Sequence, residues 1–335
     1  MSLQDDYRAI HERAVVGAIA PRGQLAVAGR DRASYLQGLL TNDIVALVPG
    51  SGCYAAWLSP QGRMVTDLHV LQSDSMILLD VPLDQSAAAL QRLDQFLFGE
   101  DVQLASLVES LASVWVHGPH AGAVLEQVLG PGEEGSVSRT FKDWPEYHHA
   151  HLSFGDTPVV VARISQLGVP GFCVYIERAR ERDLAAALAT AGATTVGADA
   201  IEAARIEAGY PVFGLDMTDD TIPLEAGIED RAISQTKGCY VGQEVIIRVL
   251  HRGHGRVARR LVGLRIDGAM PDRGASLFSG EREIGVVTSV APSPVSGALA
   301  LGYVHRDFVA TGTRVDVVVG AGRAPAIVTA RRPGA

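Results

Sequence analysis

"GRVARRLVGLRIDG", residues 255–268, is where the texture of this chain changes. Before it, short Val-, Ile- and Leu-rich runs alternate with Ala- and Leu-rich helical patterns. "SMILLDV" (75–81) reads as a buried strand, "LDQSAAALQRLDQFLFGED" (83–101) as an amphipathic helix stopping near Gly99, and "VQLASLV" (102–108) as a strand again. "GFCVYIE" (171–177), "RERDLAAALATAG" (180–192) and "TTVGADAIEAARIEAG" (194–209) continue the alternation, which implies mixed α/β layers. After Gly255 the helical period is lost. "LVGLRI", "EIGVVTSV", "LALGYV", "RVDVVV" and "APAIVTA" are short strands separated by Gly, Pro and Ser, the pattern of a small antiparallel barrel or sandwich. The expected organisation is therefore α+β, with two α/β units over 1–255 and an all-β domain over 256–335. The polar, turn-rich stretch 130–156 reads as a surface excursion.

A chain of 335 residues, 47% apolar and 20% charged, has enough buried surface for two or three packed units without staples. The net charge of -9 argues against a general nucleic-acid or membrane binder, since most of the surface repels polyanions. Three cysteines, Cys53, Cys173 and Cys239, with no CxxC pair, are reduced intracellular usage. The first 23 residues carry acids early and no apolar run, and no stretch approaches the roughly 18 apolar residues of a membrane helix. A cytoplasmic protein without a membrane partner is expected.

Just before the texture change lies "KGCYVGQE", residues 237–244. Gly238 and Gly242 permit tight turns. "GQEVIIRVLHRG" reads as a helix of about three turns closing at Gly253, with its β-branched residues leaving a strand open. If it is a helix, Cys239 precedes its N-terminus, where free amides and the Lys237 ammonium both favour the thiolate. The competing reading of Cys239 is a small packed hydrophobe. The run "RVLHRGHGRVARR" (248–260) is the densest basic segment and reads either as a solvated face or as a holder of a polyanion, Arg248 included.

Two acids stand out. Asp67, in "SPQGRMVTDLHV" (59–70), sits inside an apolar strand and needs a partner or a purpose. Glu207, near the end of the helix in "IEAARIEAGYPVFGLD", faces an unfavourable dipole and wants a donor, from an arginine or from a ligand with adjacent N-H groups. "HHAH" (148–151) lacks further ligands at metal spacing, and no metal site is expected.

"KGCYVGQE" resembles the signature of the YgfZ family of folate-binding proteins, Lys-Gly-Cys-aromatic-any-Gly-Gln-Glu, and is complete here. "VAGRDRASYLQGLLTNDIVAL" (27–47), "GRMVTDLHV" (62–70), "VHGPHA" (116–121), "RIEAGYPVFGLD" (205–216) and "PLEAGI" (223–228) are similar, in order, to segments that family shares with the glycine-cleavage T-protein. The C-terminal strands resemble the T-protein's terminal barrel.

The resemblance implies a T-protein-like ring of three units, the last a β-barrel, binding tetrahydrofolate. It implies an accessory role in assembly or repair of iron-sulfur clusters, with client enzymes such as radical-SAM proteins as partners. Some of these clients modify tRNA, though direct tRNA binding is not expected. Cys239 would be the reactive group, Lys237 would lower its pKa, and Gln243 and Glu244 would position it. Glu207 falls where the T-protein's pterin-binding glutamate lies and Asp67 where its catalytic aspartate lies. Tyr240, Gln243, Glu244 and Arg248 are further candidates to hold folate. The alternative is a folate-dependent one-carbon (aminomethyl) transferase or demethylase assisted by Asp67. Thr66 stands where the T-protein pattern has a second acid, which speaks against aminomethyl transfer. Whether the chain is an enzyme is left open.

Overall fold

Ser2 opens the first helix with a capping box: its hydroxyl accepts from the Asp5 amide while the Asp5 carboxylate accepts from the Ser2 amide. The computed structural model describes residues 2–131, 140–252 and 256–331. In chain order the elements are α1 (Leu3–Glu12), β1 (Val15–Val16), β2 (Arg22–Ala28), α2 (Arg32–Leu39), β3 (Ser51–Leu58), β4 (Met64–Gln72), β5 (Met76–Pro82), α3 (Ser86–Asp94) and β6 (Gln103–Ser106). There follow β7 (Leu111–His117), α4 (Ala121–Val128), β8 (His149–Phe154), β9 (Thr157–Arg163), β10 (Gly171–Glu177), α5 (Glu181–Thr190), β11 (Thr194–Thr195), α6 (Ala198–Ala208), α7 (Pro223–Ala226), α8 (Glu229–Ala232) and α9 (Gln243–Ile247). The last six strands are β12 (Arg259–Ile266), β13 (Ser276–Ser279), β14 (Arg282–Ser293), β15 (Gly297–His305), β16 (Arg314–Val319) and β17 (Gly322–Thr329).

These strands make three sheets. The first has the order β3-β4-β5-β2-β6 and the second β11-β1-β7-β10-β9-β8. The third, β12-β15-β14-β13-β16-β17, closes into an antiparallel barrel, which leaves no unpaired edge. The α/β units followed by an all-β barrel match the expected fold class, and the barrel resolves the choice between barrel and sandwich. Each sheet covers its own apolar core. Leu71, Leu78, Trp115, Ile164, Cys173 and Tyr175 form a further buried cluster drawn from both of the first two sheets. Among the described residues, no helix is long and apolar enough to cross a membrane.

Three local readings change. The helix after β5 stops at Asp94 rather than near Gly99, and Gln103–Ser106 is its following strand. The stretch 130–156 is not simply a surface excursion: Phe141 and Trp144 are buried in the second unit's core, and His149–Phe154 pairs with β9. Residues 132–139 of it lie outside the described residues. The helix after Gly242 is real but short, passing at Arg248 into a π-turn over Arg248–Arg252, while Gly253 lies outside the described residues.

Candidate functional site

Strand alternation puts Asp67 on the face of the first sheet that meets the second unit, and the acid is buried. Its Oδ2 accepts from the Tyr54 hydroxyl at 2.8 Å, and its Oδ1 lies 3.5 Å from an Arg22 Nη1. Arg22 binds a second acid more closely: its Nε donates to Asp80 Oδ1 at 2.6 Å. The other Asp80 oxygen accepts from the Tyr175 hydroxyl of the second sheet at 2.5 Å, with His69 Nδ1 3.8 Å away. Burial pushes the Asp80 carboxyl up, but Arg22, helped by His69 and Tyr175, outweighs it and brings the group down to about 2. Burial also lowers His69, opposed by its contact with Asp80. A second guanidinium stands nearby, and its charge is stabilised in part by Asp67: that of Arg231 on α8.

Arg231 lies between aromatic faces. Its Cζ is 4.3 Å from the Tyr210 ring centroid and 4.8 Å from that of Tyr54, a cation–π arrangement on both sides. Its Nε is buried and, among the described residues, has no hydrogen-bond partner. Arg231 lines a cavity of about 630 Å³ with Glu146, Tyr147, Arg163, Ser165 and Tyr210. Tyr147 is, among the described residues, the one non-glycine with a left-handed backbone, φ 63°. Glu146 is fixed by the Ser165 amide at 2.5 Å and hydroxyl at 3.0 Å. Tyr210 is held from behind by Arg205, a fully buried side chain that donates to the Tyr210 carbonyl, to Asp216 at 2.8 Å and to Ser289 of the barrel at 2.8 Å. Asp80, Arg22, Arg231 and Arg205 were not singled out from the sequence. Asp80 gave the same signal as Asp67, a lone acid in an apolar strand.

Glu207 has its donors, and they are protein groups. The Tyr7 hydroxyl on α1 donates to Oε2 and the Ser296 hydroxyl to Oε1 at 3.0 Å. It does not line the cavity with Arg231, although Tyr210, just beyond the left-handed cap at Gly209, does.

None of the residues of "KGCYVGQE" lines that cavity either. Gly242 turns with φ 83° against the Ser59 carbonyl of the β3–β4 turn, and Gly62 of that turn packs on Val245. Cys239 is the exposed cysteine, while Cys53 is partly buried and Cys173 buried. Tyr240 is buried. Glu244 and Arg248 are exposed and, among the described residues, have no side-chain partner; Gln243 is partly exposed. Tyr240, Gln243, Glu244 and Arg248, expected to hold folate, are not among the residues lining this cavity; their segment packs on the β3–β4 turn.

The expected pairing of Lys237 with the thiol is corrected as well. The Lys237 ammonium donates to the carbonyls of Gln37, Leu40 and Asn42 at 2.6, 2.7 and 2.8 Å. Burial lowers it to about 8, opposed by Asp43 and then Cys53; Cys239 is not among its charge partners. In the basic run, Arg259 and Arg260 pair with Glu225 and Glu229, while His254 lies outside the described residues.

Comparison with known proteins agrees with this architecture. Residues 1–237 match the GCVT N-terminal domain, and residues 259–333 match the glycine cleavage T-protein C-terminal barrel domain. Among curated relatives, an aminomethyltransferase of Geobacillus sp. (strain WCH70) is 27% identical, over 98% of this chain and 89% of that protein. Those of Thermosynechococcus vestitus and Rubrobacter xylanophilus are 28% and 29% identical, over 98% and 90% of this chain and 87% and 79% of theirs. The crystal structure of aminomethyltransferase T from Bartonella henselae has the same fold, with a TM-score of 0.86 and 24% identity over 99% of this chain and 89% of that one. By both of its domains, in their order along the sequence, this chain belongs to the glycine-cleavage T-protein family.

Proposed function

We propose that this chain binds tetrahydrofolate and serves as an accessory protein for iron-sulfur enzymes, with Cys239 as its reactive group. The family binds tetrahydrofolate. The cavity beside Arg231 suits that group: about 630 Å³ is within the ordinary range for a cofactor site, and Tyr147 and Tyr210 offer flat apolar walls. The buried Arg231 Nε is a donor without a partner among the described residues. Tyr147, Tyr210 and Arg231 would hold the cofactor, with Asp67 behind Tyr54. When bound, a reduced folate supplies a carrier for a one-carbon unit.

The observation that carries the accessory role is the placement of Cys239. It is exposed in a fastened loop that does not line the cavity, a place for a thiol that meets another macromolecule rather than a folate carbon. One thiol cannot complete a four-cysteine cluster site, so further ligands would come from a partner. The test has two arms. Titration with tetrahydrofolate should show Arg231→Ala binding about tenfold more weakly than wild type, as loss of one hydrogen bond from a charged donor implies. Cys239→Ala should bind folate normally yet fail to support an iron-sulfur enzyme in cells lacking this protein. Full support by that variant removes the thiol from the function.

A second reading, folate-dependent one-carbon transfer, is favoured by the relatives named aminomethyltransferase and by the buried Asp67 beside Tyr54. It requires that an aminomethyl or methylamine donor plus tetrahydrofolate yield methylenetetrahydrofolate, and that Asp67→Asn abolish the product. Absence of product with folate binding intact excludes it.

A further inference from the structure

The carboxyl end of α2 leaves carbonyl groups with no partner inside the helix, and the helix dipole makes that end negative. The chain places a cation there from almost two hundred residues away. Lys237 Nζ meets the carbonyls of Gln37, Leu40 and Asn42, all within 2.8 Å. An ammonium has three hydrogens, so these three acceptors use all of its donors and leave none for a neighbouring sulfur. The same nitrogen lies 5.2 Å from the centroid of the Tyr240 ring, which is buried. Two further bonds hold the segment: the Lys237 amide donates to Ser234 Oγ at 3.2 Å, and the Val241 amide to the Gly38 carbonyl of α2 at 3.1 Å. Between these anchors only Gly238 and Cys239 stand exposed.

We propose that Lys237 is a positioning residue: its ammonium fastens the 237–241 loop to the carboxyl end of α2 and so fixes where Cys239 projects, without acting on the thiol. This rests on the reading of Cys239 as a functional group, but it assigns the lysine a task different from the activation its sequence position implies. A charge meant to stabilise a thiolate would keep a donor directed at the sulfur. This one is turned inward, and the thiol among its charge partners is Cys53 on β3.

The experiment compares wild type with Lys237→Met and Lys237→Gln by two readouts, the pH midpoint of Cys239 alkylation by iodoacetamide and hydrogen exchange at the Val241 amide. Neither uses the activity of Cys239, so failure of the functional reading would leave this test intact. Lys237→Met should speed exchange at Val241 by about tenfold or more, as expected when a local closed state loses its fastening, with the alkylation midpoint unmoved. Lys237→Gln keeps two donors without the charge and should retain part of the protection with the same midpoint. It also serves if the methionine variant does not fold. A midpoint raised by about one pH unit or more in Lys237→Gln, the signature of lost charge stabilisation, overturns the proposal. So does unchanged exchange at Val241 in a folded Lys237→Met.

Discussion

Replacing Arg22 with Met tests whether the buried acids of the first sheet, one of which meets Tyr175 of the second, depend on this guanidinium. Asp80 has no exposed side-chain surface and Arg22 only 11%, at a contact of 2.6 Å. In the native protein the guanidinium keeps Asp80 near 2 against an ordinary 3.8. That depression is a stability contribution of about 2 kcal/mol, complete above pH 3.8 and lost as pH falls toward 2. Without Arg22 the carboxylate stays buried with the Tyr175 hydroxyl as its remaining close donor, and the variant should lose about 3–5 kcal/mol at pH 7. Desolvation would then raise Asp80, so the folded variant would bind a proton that the unfolded chain does not. Its deficit should therefore shrink as pH falls through the raised value. Urea unfolding, followed by tryptophan fluorescence, to which Trp115 in the inter-sheet cluster contributes, reads this directly. The midpoint should drop by about 1–2 M at pH 7 and by less at pH 5. Arg22→Met with Asp80→Asn should recover at least half of the loss. A deficit below about 1 kcal/mol, or no recovery in the double variant, would refute the reasoning, since a pair this buried cannot be lost cheaply.

Two further outcomes are expected. Burial brings His117 and His149 down to about 4 from 6.5, so both are neutral in the folded protein at pH 7. Each costs nothing above pH 6.5 and up to about 3 kcal/mol once pH has fallen to 4, so thermal stability should decline across that window and His149→Phe should flatten the decline. The two glycines of "KGCYVGQE" should part company on substitution. Gly242→Ala meets a left-handed φ of 83° and a carbonyl 2.5 Å from the new Cβ, and should cost about 1–3 kcal/mol in chemical unfolding. Gly238→Ala, with nothing within 4 Å, should stay within about 0.5 kcal/mol of wild type.

The alternation of apolar runs with helical patterns, and its end near residue 255, was enough to anticipate two α/β units followed by an all-β domain. Periodicity is a local property: every residue of β10 or α5 reports its own face, and Gly, Pro and Ser mark the turns of the barrel. The completeness of "KGCYVGQE" was likewise visible, as was the oddity of an acid inside β4. What could not be read was which distant groups these residues meet. Arg22 finds its acids 45 and 58 positions away, Arg231 reaches the rings of Tyr54 and Tyr210, and Glu207 is met by Tyr7 and Ser296 from opposite ends of the chain.

Lys237 shows the difference most plainly. Two positions from Cys239, it looks like that thiol's activator, because proximity along the chain suggests proximity in space. The fold turns the side chain the other way, since the free carbonyls at the end of α2 offer an ammonium more than an exposed sulfur can. Sequence therefore determined which kinds of element form and marked single residues, Cys239 and Asp67 among them, as out of the ordinary for their surroundings. Only the packing of elements far apart in the chain decided which charges are spent on structure and which are left for a ligand, because an electrostatic partner is set by distance and burial, and neither is written in sequence separation.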